Sequence, residues 1–406
     1  MTALGARSAQ EENLSVLNGG WPYYTREEIK LVTSTLKSGR VNYWTGSSCR
    51  QFEEDFSDYL GGGYSVALAN GTLALELALR AFDFPPKSKI IVPVRSYVAT
   101  ALAVINVGCT PVFADVDKTS GNISKDGIKG AYDQGVVGVI LVHVGGLPCE
   151  LNEILKFCKM KNIRVIEDCA QAHGAQYEGR PVGTFGDIGC WSFCQDKIIS
   201  TGGEGGMTYT LKKTLWNKMR AYKDHGKDLV LMERDRQPDV PGYRWIHNSP
   251  GSNFRMTSMQ AEIGRYQLAR LDKWIKCRAK VANQIARNFS NSEGVMFPFI
   301  NADHRHAYYR LIFIVDHPRL KGKQRRVNFL RECRKRGVLI SEGSCSELNE
   351  EKVFRAIHAH DQPIIFEGGR YFTETAFAVN LNHKMSAAQS TKVGEIIGQV
   401  LAEVIR

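Results

Sequence analysis

From Tyr64 onward the chain alternates short apolar runs with stretches of helical periodicity. Tyr64 to Ala69 reads as a strand and Thr72 to Phe82 as a helix. Lys89 to Pro93 is a strand, Val98 to Val107 a helix and Pro111 to Asp115 a strand. Val136 to Val144, Leu151 to Lys161 and Arg164 to Asp168 continue as strand, helix and strand. Parallel strands need long crossover connections, and the helices in those connections cover both faces of the sheet. The expected fold class is therefore α/β, with a mostly parallel sheet between helices. Right-handed crossovers bring the loops that follow the strands to one edge of that sheet.

The stretch Asp228 to Gly251 is polar, contains Pro238, Pro241 and Pro250, and reads as a loop. Thr257 to Lys276 has helical periodicity through Met259, Ile263, Tyr266, Leu268 and Leu271. It leads into a smaller C-terminal part, and the expected domains are 1–275 and 276–406. A chain of 406 residues has room for two or three domains and a large core.

Charge and cysteine usage narrow the class further. No apolar run approaches the ~18 residues of a membrane helix. Met1 to Gly20 lacks the apolar segment of a signal peptide. Ten scattered cysteines without a C-x-x-C pair fit free thiols in a reducing cytoplasm. His304/His306 and His358/His360 lack a metal-ligand spacing, so no metal is expected. The net charge of +11 favours anionic partners. The basic run from Arg319 to Arg336, which includes Arg326, carries Val327, Leu330 and Cys333 at helical spacing. It reads as an amphipathic helix with a solvated basic face, and no nucleic-acid motif accompanies it.

The chemistry is concentrated in three segments. Asn162 to Ile166 reads as a short buried strand that delivers Glu167 and Asp168 at its C-terminal end, followed by Cys169-Ala170-Gln171-Ala172-His173-Gly174-Ala175. Trp191-Ser192-Phe193-Cys194-Gln195-Asp196-Lys197 and Gly202-Gly203-Glu204-Gly205-Gly206 come next. In open α/β sheets ligands sit at the carboxyl edge of the strands. A carboxylate, a hydroxyl and a lysine in this order suit pyridoxal 5'-phosphate (PLP). The Asp holds the pyridine nitrogen protonated, and the Lys forms a Schiff base with the aldehyde and shuttles protons. The plainer alternative for Asp168 is a cap on the turn that follows it.

Ala69-Asn70-Gly71-Thr72 ends a strand and opens a helix, which is a ready phosphate site. Gly71 permits close backbone approach, Thr72 offers a hydroxyl, and Ser192 is a second donor. The alternative is a strand–turn–helix with Thr72 as N-cap. Tyr97 opens another helix, where its ring suits either stacking on a planar cofactor or core packing.

Together these residues resemble the DegT/DnrJ/StrS family of PLP-dependent sugar aminotransferases, from about Trp44 to about Leu271. The likeness is carried by Asn70-Gly71-Thr72, Tyr97-Val98-Ala99-Thr100, Val112 to Asp117, Glu167 to Ala175, Ser192-Phe193 and Lys197. It continues in Gly203-Glu204-Gly205-Gly206, His225-Gly226, Asn253-Phe254-Arg255-Met256 and Gln260-Ala261. The resemblance implies a fold type I transferase with a smaller α+β C-terminal domain, working as a homodimer with shared active sites. It implies Lys197 as the Schiff-base lysine and Asp168 as the partner of the ring nitrogen. Gln171 approaches the ring hydroxyl, with Ala170 on one ring face and Tyr97 on the other. Gly71, Thr72 and Ser192 hold the phosphate, and Asn253 reaches it from the neighbouring subunit. Relatives with His at the lysine position are dehydratases, so Lys197 favours transamination. Asp196 departs from the commoner family form, which has Asn before the lysine.

The expected reaction moves an amino group from L-glutamate to a keto- or aldehydo-sugar in bacterial surface-polysaccharide or lipopolysaccharide biosynthesis. Gln195 to Met207 and Gly251 to Met256 resemble family members from lipopolysaccharide gene clusters, and the specific expectation is formation of 8-amino-3,8-dideoxy-octulosonate; an anionic, acidic sugar suits a basic chain, and so does a nucleotide diphosphate. Alternatives are a nucleotide-linked keto-sugar acceptor, or a PLP-dependent dehydratase or lyase. Trp44, Thr45, His225 and Arg255 are candidate substrate contacts, each of which can equally be structural.

Overall fold

The computed structural model of the chain describes residues 17, 20–228, 231–232, 245–355 and 364–405. Its central sheet consists of β1 (Tyr64–Leu68), β2 (Lys89–Pro93), β3 (Thr110–Ala114), β4 (Val136–Val142), β5 (Arg164–Asp168), β6 (Ile188–Ser192) and β7 (Gly206–Thr210). The strand order is β1-β7-β6-β5-β4-β2-β3. Neighbours are parallel except around β7, which runs antiparallel to both β1 and β6.

The strand sequences explain this layering. Every residue of β6 and β7 is buried. Along β4, Val139 and Leu141 join the core on one face, while Ile140 and Val142 join the core on the other. The period of two survives with both faces apolar, as helices on both sides require. Helices Ser48–Tyr59 and Leu151–Met160 supply Phe52, Phe56 and Ile154 to the first core. Helices Gly71–Arg80 and Ala99–Asn106 supply Leu75, Leu77 and Val104 to the second.

A second, antiparallel sheet contains β8 (Val295–Met296), β9 (Arg310–Val315), β10 (Ile340–Ser341) and β11 (Ala376–Asn380), in the order β8-β9-β11-β10. It packs with helices Leu271–Arg287, Lys323–Lys335 and Ala387–Ile405 around Phe313, Phe329 and Phe377.

Three expectations are corrected by the structure. Thr257 to Lys276 is not one helix: Ser258–Leu268 and Leu271–Arg287 are separated by a turn at Ala269 and Arg270. The basic helix Lys323–Lys335 is amphipathic, but Arg326 lies inside it and donates to the Ala376 carbonyl at 3.0 Å. The fourth strand ends at Val142, because the chain turns through Val144–Gly146 with Gly145 at φ 66°. Most of the polar loop 228–251, and both His358 and His360, lie outside the described residues. All ten cysteines are free. Among the described residues no helix is long and apolar enough to cross a membrane.

Candidate active site

The register brings the carboxyl ends of three strands together. Val142 pairs with Asp168 and Asp168 with Cys190, so β4, β5 and β6 finish side by side. Next to them a cavity of about 550 Å3 opens. Its walls include Gly71, Thr72, Tyr97, Asp168, Ala170, Gln171, Ser192 and Lys197, which the sequence had singled out. Thr100, Asp196, Glu204, Tyr309, Arg310 and Ser344 also line it.

Adjacent carboxylates at the end of β5 point to opposite faces of the sheet, as strand alternation dictates. Glu167 is fully buried and is consumed by structure. It accepts backbone N–H groups from Gly183 at 2.7 Å, Phe185 at 2.8 Å and Gly186 at 2.6 Å. His143 Nδ1 accepts the Cys149 amide, and its Nε2 meets Glu167 at 3.1 Å. Burial opposes the Glu167 charge, but His143 and the amides overcome it and hold the carboxyl below its ordinary range. Cys169 completes a trio with His143 and Glu167 whose ligand-type atoms lie within 4.8 Å of one another. The oxygens of Glu167 are already engaged by the three amides and His143.

Asp168 faces the cavity. Thr100 donates its hydroxyl to Oδ2 at 2.9 Å, and the Ala170 amide donates to Oδ1 at 3.1 Å. The second bond is the turn cap of the plainer reading, and it leaves Asp168 lining the cavity. Burial raises the Asp168 carboxyl above its ordinary range, against the opposing pull of these bonds and of Lys197. A carboxylate in that state is suited to a cationic partner, such as a protonated ring nitrogen.

The phosphate edge is made by β1, β6 and the helix Gly71–Arg80. Asn70, not Thr72, is the N-cap: its side chain accepts the Leu73 amide at 2.9 Å. Thr72 sits one residue inside the helix and lines the cavity. A Cβ at residue 71 would lie 2.5 Å from the Ser192 Cβ, and one at residue 206 would lie 2.2 Å from the Asn70 carbonyl. Two glycines therefore let β6 and β7 close against the helix N-terminus. That N-terminus, with the Thr72 and Ser192 hydroxyls, is a donor set suited to a phosphate dianion.

Lys197 lies on the turn after β6. The turn is fixed by Phe193 N–H to the Gly205 carbonyl at 2.7 Å and Gln195 N–H to the Gly203 carbonyl at 2.9 Å. Trp21 Nε1 donates to the Lys197 carbonyl at 3.0 Å. The Lys197 Nζ donates to Asp196 Oδ2 at 3.2 Å and to the Tyr309 hydroxyl at 3.4 Å. Burial works to lower the Lys197 pKa, but Tyr309 and Asp196 raise it above the ordinary lysine value.

Gln171 is oriented through its Oε1, which accepts the Gly145 amide at 2.7 Å and the Ser344 hydroxyl at 3.0 Å. Its amide nitrogen is thereby left to donate, with Cys345 Sγ at 3.6 Å. Tyr97 is 69% exposed, so core packing is excluded. The donors, the buried carboxylate, the lysine and the exposed ring around one cavity fit PLP chemically.

The remaining candidates are elsewhere. Asn253 is exposed and does not line its own protomer's cavity. Arg255 pairs with Asp224, which also holds Lys227 at 3.3 Å. Lys227 lies 4.6 Å from the centroid of the Trp44 ring, and the His225 amide donates to the Ser252 carbonyl at 3.0 Å. Trp44, His225 and Arg255 thus gather with Asn253 on one patch outside the cavity. Thr45 borders a different recess, beside Arg50 and Glu262. Of the other histidines, His304 stacks on Tyr177, and His306 is buried with Nδ1 accepting the Tyr308 amide. Sequence reasoning gave no role to Tyr309, Arg310 or Ser344. They come from the second sheet and its loops, where no local motif marks them.

Residues 22–397 match the model of the DegT/DnrJ/EryC1/StrS aminotransferase family, well beyond the Trp44 to Leu271 span of the resemblance. The spore coat polysaccharide biosynthesis protein SpsC of Bacillus subtilis strain 168 is 34% identical over 295 residues, 73% of this chain and 75% of the relative. GDP-perosamine synthase of Escherichia coli O157:H7 is 34% identical over 270 residues, 66% of this chain and 70% of the relative. The crystal structure of an aminotransferase from Psychrobacter cryohalolentis has a TM-score of 0.90 at 39% identity, covering 95% of this chain and 99% of that one.

Proposed function

The chain belongs to the DegT/DnrJ/EryC1/StrS aminotransferase family, and on that premise we propose how its residues divide the work. It is a PLP-dependent sugar aminotransferase of fold type I. Bound PLP supplies a reactive aldehyde and an electron-accepting ring. Lys197 would be the covalent attachment point, and its neutral Nζ would take up and pass on the proton lost by the amino donor. Asp168, steadied by Thr100 and the Ala170 amide, keeps the ring nitrogen protonated. Gly71, Thr72 and Ser192 bind the phosphate. Gln171 would hold the ring hydroxyl, and Ala170 and Tyr97 would hold the ring between them.

The observation that supports this reading most strongly is the meeting of Asp168, Lys197 and the Gly71–Ser192 cradle in one cavity. A dehydratase on the same fold is disfavoured by lysine, rather than histidine, at position 197, and a lyase is distinguished by its failure to consume glutamate.

L-Glutamate is the proposed donor, and a keto- or aldehydo-sugar of bacterial surface-polysaccharide or lipopolysaccharide synthesis is the proposed acceptor. Relatives named for GDP- and UDP-linked sugars favour a nucleotide-linked acceptor. The octulosonate reading rests on the +11 charge and Arg310 at the cavity. The working unit is a cytoplasmic homodimer in which Asn253, with Trp44, His225 and Arg255, completes the partner's site. The large domain spans 1–275 and the small one 276–406.

The test is absorbance of the PLP-loaded protein before and after L-glutamate. A visible band that glutamate bleaches, absent in Lys197→Ala, supports the reading. A band indifferent to glutamate overturns the donor assignment. An acceptor panel of nucleotide-linked keto-sugars and the aldehydo-octulosonate then separates the two acceptor classes.

A further inference from the structure

Lys197 is held at its charged end by two side chains that the proposed chemistry does not use. Asp196 Oδ2 accepts from Nζ at 3.2 Å and also from the Tyr309 hydroxyl. Tyr309 stands 3.4 Å from Nζ and comes from the start of the second sheet, so turn and sheet meet at the lysine. The other charged or titratable groups around Nζ are placed differently. Asp168 is committed to Thr100 and Ala170. His173 is neutral, its pKa pushed down to about 3 by burial and the Lys197 charge. Arg278 spends its donors on the carbonyls of Tyr308, Tyr309 and Leu381. Arg310 lies 5.2 Å from the centroid of the Tyr309 ring, and Glu204 lines the same cavity.

We propose that Asp196 and Tyr309 form a cradle for the ammonium group of Lys197, which fixes Nζ when the lysine is protonated and not bonded to the cofactor. The inference rests on Lys197 being the cofactor-bearing lysine. A lysine released in mid-cycle is a flexible four-carbon chain and loses reactivity if it wanders. The cradle ties it by two hydrogen bonds, one of them to a full negative charge. Asn, the commoner residue before the family lysine, keeps an acceptor but has no charge. This chain therefore holds its free lysine in the ammonium form to higher pH than an Asn-bearing relative would. Asp196 and Tyr309 are positioning residues: they act on Nζ.

Competitive acetylation of the cofactor-free protein across a pH series, with Lys197 modification read by mass spectrometry, reports Nζ protonation without turnover. Asp196→Asn should move the Lys197 profile to lower pH, giving several-fold faster modification at a fixed pH on the rising limb. Asp196→Glu should stay near the parent profile. Tyr309→Phe should move it part of the way, and it keeps the test alive if Asp196→Asn does not fold. Superimposable profiles for the parent and Asp196→Asn would overturn the cradle. Borohydride trapping of added PLP, followed by peptide mapping, tests the premise separately. Attachment at Lys197 upholds it, and attachment elsewhere removes the role in the cycle whatever the acetylation profiles show.

Discussion

Ser192 closes so tightly over Gly71 that a Cβ added at residue 71 would lie 2.5 Å from the Ser192 Cβ and 3.0 Å from its hydroxyl oxygen. Overpacking of this kind typically costs about 1–3 kcal/mol. Here it falls on the proposed phosphate cradle, so Gly71→Ala should raise the PLP dissociation constant by roughly 10-fold or more while the protein still folds. Fluorescence titration with PLP measures this, and an unchanged constant would remove Gly71 and Ser192 from the phosphate site.

Asp168 carries a raised pKa because burial outweighs its hydrogen bonds. In the cofactor-free protein its folded form binds a proton more tightly than the unfolded chain does. The contribution of Asp168 to stability is thus full below the ordinary carboxylate pKa and is lost as pH rises through the raised value. Asp168→Asn should accordingly leave the cofactor-free protein as stable as the parent, or more so, at neutral pH. The same change should lower turnover by about 10²–10³, the usual loss for one preorganised electrostatic partner. A thermal scan of the apo-protein and a kcat measurement check the pair. Lower apo stability together with full turnover would sink the assignment.

Glu167 runs the other way. Its pKa is lowered, so its contribution to stability is full above the ordinary glutamate value and is lost as pH falls through the lowered one. Glu167→Gln leaves the Gly183, Phe185 and Gly186 amides short of an acceptor in a fully buried site. The expected cost is about 2–4 kcal/mol of stability, against little change in the affinity of whatever PLP-binding protein remains folded. Urea unfolding at pH 7 and again below the ordinary glutamate pKa of about 4.3 tests this. The variant should also lose the acid sensitivity that the parent draws from this group.

How far the sequence carried these conclusions depends on the range of the interactions. The alternation of strand and helix after Tyr64 is local, and the sheet followed it closely. Asp168, Ser192, Lys197 and Gly71 were visible because each stands at a strand end or on the turn just after one, where topology alone forces convergence. The break at Ala269 and Arg270 has no glycine or proline to announce it. Arg326 looked solvated because its neighbours are basic, yet it satisfies carbonyls of the second sheet from inside the helix. Tyr309 was invisible for a similar reason: it meets Asp196 across 113 residues. Such contacts are set by packing between distant segments, and no local motif encodes them.

Asn253 offers the sharpest test of the assembly. It is exposed, it lies off its own cavity, and it shares a patch with Trp44, His225 and Arg255. Asn253→Ala and Lys197→Ala should each abolish or severely reduce activity when made alone. If Asn253 serves its partner's cavity, a heterodimer of the two variants has one site carrying both defects and one site with neither. Mixing the inactive proteins under conditions of subunit exchange should then restore up to about half of the parent activity per heterodimer, or about a quarter across an equal, fully exchanged mixture, as the shared-site symmetry of a two-fold dimer requires. If Asn253 instead serves its own chain, each site in the heterodimer keeps one defect and mixing restores nothing. Native mass spectrometry of the mixture, with one variant carrying an affinity tag that shifts its mass, confirms that heterodimers were present, so that a failure to recover activity counts against the shared site.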